Sequence, residues 1–438
     1  MSKIYQFIKN KFSNLGAGFI TGAADDDPSG VATYSIAGAQ FGYRLNWLFV
    51  LLTPMMIVIQ EMCGRIGMCS GMGLAGVIKK FYSQKLLFFA VSLLLIANIV
   101  NISADLGIMA ACLEMILGLP FLIWLAFITA VSIFMEVFIS YKRYSGFLRW
   151  MSLILLMYWI TALMVKQDWL EIINKTFIPH LEFNLMYLMT AVAFIGTTIS
   201  PYLFFWQASE EVEEEIKDGK INEFGTKPMI FKKDILGMKR DTIIGMVFSN
   251  LVALAIIITT AATLNFNGIT NIETPQQVAL ALKPFAGNFA FLLFTIGIIG
   301  IGLQSVPVLA GGVAYSLSEI LGRKEGLNKK FHQAKLFYII LALATLIGAL
   351  FNFVGINPVK ALYYTAIING LISVPLIFII IRVADNEKVV GHFRSSRLSR
   401  SIGWLTFIFV GLASFLMIIN LFQPLLNFFL NLFSFFHF

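Results

Sequence analysis

Ala24-Asp25-Asp26-Asp27-Pro28-Ser29-Gly30 is the stretch on which the fold turns. An apolar lead-in, Leu15 to Ile20, runs into it, and Val31 to Gln40 leads out through small residues and Gly38. Consecutive carboxylates have no place on a lipid-facing helix, because each costs several kcal/mol at bilayer depth. Pro28 removes a backbone donor and biases Asp27 away from helical dihedrals, so a helix break is expected here. Non-helical backbone at that depth is tolerated only against protein or a water-filled cavity. Carboxylate oxygens and freed carbonyls at such a break make a cation site. The bland alternative is a polar N-terminal loop outside the membrane.

The rest of the chain favours the membrane. Of its 438 residues 58% are hydrophobic and 13% charged, with a mean hydropathy of +0.82. That composition belongs to a polytopic membrane protein. No cleavable signal peptide is evident, and Lys3, Lys9 and Lys11 precede the first apolar segment. Cys63, Cys69 and Cys112 lack metal-ligand spacing and read as packing residues.

Apolar runs of about 20 residues, enough to span a bilayer, are expected at 13–41 (broken), 45–66, 86–117, 120–140, 147–165, 185–207 (broken), 242–264, 286–320, 336–353, 358–382 and 403–423. With the N-terminus inside, 27 of the 32 Lys and Arg fall in cytosolic segments; the other five are Arg44, Lys166, Lys175, Lys283 and Lys360. The net charge of +8 is therefore a topology signal, not a nucleic-acid footprint. An odd number of spans puts the C-terminus outside, in the plasma (bacterial inner) membrane. The acidic and then basic stretch Glu210 to Asp241 reads as a solvated cytosolic connector. The Phe-rich tail from Leu425 to Phe438 is too short to span and is expected to lie against the membrane or the bundle.

A second break falls in the sixth span, Gly196-Thr197-Thr198-Ile199-Ser200-Pro201-Tyr202, where Pro201 interrupts the helix beside three hydroxyls. Alone it reads as a kink. Coming after five spans, it pairs with the first break in an inverted five-plus-five repeat. This gives an all-α fold with discontinuous helices 1 and 6: residues 1–183 as one repeat, 184–383 as the second, and 384–438 as linker, eleventh helix and tail. Asp105, with Asn98 and Asn101 on one face of the third span, is an intramembrane carboxylate. Gln304 and Asn369 are candidate pathway linings. Glu61 and Glu136, near the cytosolic ends of spans 2 and 4, could reach the interface or pair with Arg65 or Lys142; both read as structural, as does Glu114 near the outer end of span 3. The four histidines lie outside the spans, so no buried His relay is expected. No nucleophile motif or cofactor fingerprint supports an enzyme, and no soluble domain supports a sensor.

Asp27-Pro28, Ala32-Thr33 and Ala37-Gly38-Ala39-Gln40-Phe41-Gly42-Tyr43 resemble the first-helix signature of the Nramp family. Gln60-Glu61, Ala104-Asp105-Leu106, Thr260-Ala261-Ala262-Thr263-Leu264, Ser305-Val306-Pro307-Val308-Leu309-Ala310-Gly311 and Gly355-Ile356-Asn357-Pro358 extend the resemblance along the chain. It implies a leucine-transporter-type fold and carriage of divalent transition metals, usually proton-coupled. The departures bear on the chemistry. The family's Asp-Pro-Gly-Asn is Asp27-Pro28-Ser29-Gly30, its Met-Pro-His is Ser200-Pro201-Tyr202, and its third-helix glutamate is Ile108. The pattern is similar to a divergent branch, some of whose members handle magnesium or manganese.

Loss of the thioether leaves oxygen donors, which suit Mg²⁺, Mn²⁺ or Ca²⁺. Asp27 is expected to supply the main carboxylate, with the Ala24 and Thr197 carbonyls and the Ser200 hydroxyl nearby. Asp26 or Asp25 would add field strength or bind through water. Asp25, Gly30, Asp105, Tyr202, Gln304 and Asn369 are expected to line the path. The cargo is the metal, with no cofactor, and Tyr202 and Ile108 argue for weak or absent proton coupling. The alternative is an organic-cation or amino-acid carrier on the same fold.

Overall fold

The apolar runs become helices in the computed structural model, which describes residues 17–139 and 153–435, apart from the side chains of 19, 20, 23 and 424–435. The helices that build the site are α1 (Ala17–Asp25), α2 (Pro28–Phe41), α3 (Trp47–Ser70), α4 (Leu74–Phe81), α5 (Gln84–Leu117), α6 (Phe121–Phe138) and α7 (Met157–Met164). After these come α8 (Leu185–Thr198), α9 (Pro201–Lys217), α10 (Lys232–Thr260), α11 (Ala290–Leu321), α12 (Lys335–Phe351), α13 (Pro358–Ala384) and α14 (Arg397–Phe435). The described residues include no strand. Nine stretches of them are long and apolar enough to cross a membrane, and these fall on nine of the expected spans. The first and fifth expected spans, 13–41 and 147–165, extend in part outside the described residues, as do Lys3, Lys9, Lys11 and Lys142.

Both expected breaks are present. α1 stops at Asp25 and α2 restarts at Pro28; α8 stops at Thr198 and α9 restarts at Pro201. Proline at the first helical position loses no helix bond, and its fixed φ suits the restart. Asp27 caps α2 by accepting from the Gly30 N–H at 2.8 Å. Ser200 acts at the other end of its gap, donating to the Gly196 and Thr197 carbonyls at 3.0 and 2.8 Å. Those are orphan acceptors at a helix C-terminus.

α10 is the support for the first broken helix. Gly18 and Gly22 of α1 lie directly on the α10 backbone at Thr242 and Gly245, and Gly38 of α2 lies on α10 at Ile257 and Thr260. Small residues let helices approach this closely in lipid. α10 ends in a π-turn, Ala261–Asn265. Elsewhere α5 packs on α11, and α8 packs on α13.

Two expectations change. The run from Glu210 is not a solvated connector: α9 continues to Lys217, α10 begins at Lys232, and Glu210, Glu211, Glu213 and Glu215 are buried. Two of these acids find strong partners, as burial requires. Tyr315 Oη and Asn328 Nδ2 donate to Glu213 at 2.9 and 2.7 Å, and Lys220 Nζ donates to Glu215 at 3.1 Å. Glu136 does not reach an interface; it is 2% exposed, and both its oxygens lie 3.1 Å from the Thr345 hydroxyl of α12. The described part of the tail continues α14, whose backbone stays helical to Phe435. The structural reading of Glu61 holds. Arg65 Nε meets its carboxylate at 2.9 Å and spends its other donors on Phe393 O, Ala384 O and Ser395 Oγ. A guanidinium so fully bonded tolerates burial and ties α3 to the segment before α14.

Candidate metal centre

The two breaks meet. Ser29 Oγ lies 3.4 Å from Thr197 Oγ1, Tyr34 Oη lies 3.0 Å from Thr198 Oγ1, and Tyr202 Oη donates to the Ala24 carbonyl at 3.0 Å. Asp25, Asp26 and Asp27 are all buried between them, at 2%, 4% and 1% exposure.

Asp27 is the most elaborately held of the three. Its Oδ1 accepts from Ser29 Oγ at 2.6 Å and from the Gly30 N–H, and its Oδ2 accepts from Asn101 Nδ2 of α5 at 2.8 Å. A carboxylate offers about four lone-pair positions. Donors from α2 and α5 thus fix the orientation of this carboxylate at the junction.

Asp25 Oδ2 and Asp26 Oδ1 face a different partner, both accepting from the single hydroxyl of Ser249 on α10, at 2.8 and 3.0 Å. One hydrogen is shared by two acids, and Asp25 Oδ1 has no hydrogen-bond partner among the described residues. Among the described residues no three Asp, Glu, His or Cys side chains converge in a metal-holding group. Any ion here would therefore take at most two carboxylates, the rest of its shell coming from main-chain and hydroxyl oxygens and water.

The other expected site residues divide. The Ala24 carbonyl is at the centre but accepts from Tyr202, and the Thr197 carbonyl accepts from Ser200, whose hydroxyl turns back into its own helix end. Gly30 is placed where a side chain would project between the breaks: a Cβ there would lie 3.3 Å from Thr197 Oγ1 and 3.6 Å from Asp27 Oδ1. Asp105 is buried one step away, with Ser305 Oγ donating to Oδ2 at 2.6 Å and Oδ1 unpartnered. Asn98, on the same face of α5, donates instead to the Leu309 carbonyl of α11 at 2.7 Å. Gln304 and Asn369 are buried on α11 and α13, and neither amide atom of Asn369 is hydrogen-bonded.

Two partners escaped the sequence reading. Asn101 was grouped with Asp105, whereas it serves Asp27. Ser249 was passed over, although Ser249-Asn250 is a polar pair inside the apolar run 242–264.

Comparison with known proteins agrees with this architecture. A family model described as natural resistance-associated macrophage protein-like matches residues 18–420. The divalent metal cation transporter MntH of Caldanaerobacter subterraneus subsp. tengcongensis is 26% identical over 429 residues, covering 94% of this chain and 93% of that one. The Eremococcus coleocola manganese transporter, solved with an aromatic bis-isothiourea substituted compound, matches with a TM-score of 0.75 at 16% identity, over 97% of this chain and 89% of that chain. Mhp1, a nucleobase-cation-symport-1 family transporter, matches at 0.59 and 12%, over 93% and 91%. The last two likenesses are of fold. The family match spans almost the entire sequence, the two proline-restarted helices meet as that fold requires, and the chain belongs to the natural resistance-associated macrophage protein (Nramp) family.

Proposed function

We propose that this protein carries divalent cations, Mn²⁺ or Mg²⁺, across a membrane by alternating access, with proton coupling weak or absent. The observation that carries this reading is the Asp27 carboxylate, buried and fixed by Asn101, Ser29 and Gly30 at the junction of the two breaks. Its surroundings are oxygen donors, which favour hard cations. An ion that keeps several waters, as Mg²⁺ does, needs few protein ligands. In the proposed set Asp27 is the direct carboxylate, the Ala24 and Thr197 carbonyls and the Ser200 hydroxyl become available when their internal bonds exchange, and Asp26 and Asp25 act through water. Gly30, Asp105, Tyr202, Gln304 and Asn369 line the route.

In the orientation proposed with it, the start of α1 faces the cytosol of a bacterial cell, the C-terminus faces outward, and residues 1–183 and 184–383 are the two inverted repeats. An inside-negative potential then contributes about 2.3 kcal/mol per charge per 100 mV, roughly twice that for a divalent ion. That drives uptake without protons. The printed names of the relatives, divalent metal cation and manganese transporters, support the cargo class. Proteoliposomes test it: Mn²⁺ uptake should saturate, follow the imposed potential, and vanish in Asp27→Ala. Uptake retained in Asp27→Ala would refute the site, and lumenal acidification in fixed ratio to metal would refute the uncoupled mechanism.

A further inference from the structure

Contacts between α5 and α11 form a ladder. At one end Met109 lies against Gly302, so closely that a Cβ there would be 2.5 Å from Met109 Sδ. Next comes Ser305 Oγ, donating to Asp105 Oδ2 at 2.6 Å. Beyond it Asn98 Nδ2 donates to the Leu309 carbonyl at 2.7 Å. The α5 numbers fall as the α11 numbers rise, so the two helices run antiparallel. Asn101 falls between the second and third rungs. It is four residues from Asp105, on the same face of α5 and about 6 Å away along the helix.

Two oxygens in this interval have no hydrogen-bond partner among the described residues, Asp105 Oδ1 and Asn101 Oδ1. Both residues are 0% exposed. Turning either side chain would satisfy neither oxygen, because the other half of each is committed. Asn101 Nδ2 donates to Asp27 Oδ2 at 2.8 Å, and Asp105 Oδ2 accepts from Ser305. What is left over are acceptors, one of them on a carboxylate. A buried acceptor without a donor is costly, and a buried charge without compensation more so. Water supplies hydrogens but no charge. Among the described residues no cationic side chain pairs with Asp105.

The partner that meets both needs is a cation, and the single carboxylate sets its charge. A divalent ion would leave positive charge over in a buried setting, whereas a monovalent one leaves none. Carbonyl-type oxygens can replace the water shell of an alkali ion. We infer that Asp105 Oδ1 and Asn101 Oδ1, with water, hold a monovalent alkali cation between α5 and α11, at a position separate from the divalent centre. Asn101 joins the two positions, with its carbonyl oxygen on the alkali ion and its amide nitrogen on Asp27. A bound ion fixes that amide in the orientation Asp27 needs and polarises the N–H it donates. The site stands on the α5–α11 contacts, and its bearing on Asp27 rests on the transport reading.

Equilibrium dialysis of the purified full-length protein against radioactive Na⁺ and, separately, Rb⁺ as the congener of K⁺ tests it, with choline chloride holding the ionic strength constant. Saturable binding of at least one of the two is expected in the wild-type protein, and the same salt should raise its melting temperature. Those arms need no variant to fold. Asp105→Asn should weaken the binding by about tenfold or more and lose the salt-dependent rise in melting temperature. Asp27→Ala should lose Mn²⁺ and keep the alkali ion. A wild-type protein that binds neither ion would overturn the site. So would alkali binding that Asp105→Asn leaves intact, or that disappears in Asp27→Ala. Mn²⁺ binding that survives Asp27→Ala beside intact alkali binding would overturn the divalent centre and leave this site standing.

Discussion

Asn101→Ala isolates what holds the Asp27 carboxylate in place. The bond it removes is 2.8 Å long, joins two fully buried groups, and runs from one helix to another. Hydrogen bonds to charged groups contribute about 1.5–3 kcal/mol. At 1.4 kcal/mol per tenfold, that is roughly 10- to 150-fold in affinity if the ion needs the carboxylate where Asn101 holds it. Partners that orient a metal ligand typically matter by about 10–100-fold, the same range. Asn101→Ala should therefore raise the Mn²⁺ dissociation constant by about 10–100-fold, measured by calorimetry on the full-length protein. Asn98→Ala is the matched control, because Asn98 bonds the Leu309 carbonyl and does not touch Asp27. It should lower the melting temperature and leave Mn²⁺ binding unchanged. Asn101→Ala binding Mn²⁺ within threefold of wild type, or both variants losing affinity alike, would refute the reasoning.

Other consequences are equally concrete. Gly30→Asn restores an amide where a Cβ lies 3.3 Å from Thr197 Oγ1; competitive titration should show Mn²⁺ gaining on Mg²⁺ by about tenfold, an added ligand favouring the metal that sheds water more readily. Gly22→Val drives a side chain into the α10 backbone at Gly245, so α1 should detach. A cysteine at Thr21, buried in the wild type, should then react with a water-soluble maleimide, and unchanged protection would count against α10 as the support of α1. Burial, reinforced by Glu319 nearby, pushes the Glu325 carboxyl up to about 10. The folded protein then keeps a proton that the unfolded chain loses near the ordinary carboxylate value, so stability falls as pH rises from about 4.5 toward 10. Glu325→Gln should flatten that slope in melting curves taken between pH 5 and 9, the range where the difference accumulates.

The broken helices were legible because their causes are local. Pro28 and Pro201 each act on the residue before them, and charge beside proline in an apolar run has few other uses. The partners were not legible, because they come from elsewhere in the chain. Asn101 is 74 residues from Asp27 and Ser249 is 223 from Asp26; no periodicity connects them. The acid run after Gln207 misled for a related reason. Five glutamates in six residues look solvated, whereas the fold brings Tyr315 and Asn328 to Glu213 and Lys220 to Glu215. Gly38 was noticed as a small residue, whereas its contact with Ile257 and Thr260 could be seen only in three dimensions.

Tyr202 stands where relatives place a histidine, and its phenol clasps the last carbonyl-bearing turn of α1. The oxygen it grips belongs to Ala24, which the cargo would also seek. A phenol gives up its proton far less readily than an imidazole at physiological pH, so the clasp is indifferent to acidity and can be undone only by competition or by water. At the proposed site, arrival of the ion and release of this bond would then meet at one atom. A carrier wired in this way would answer to its passenger.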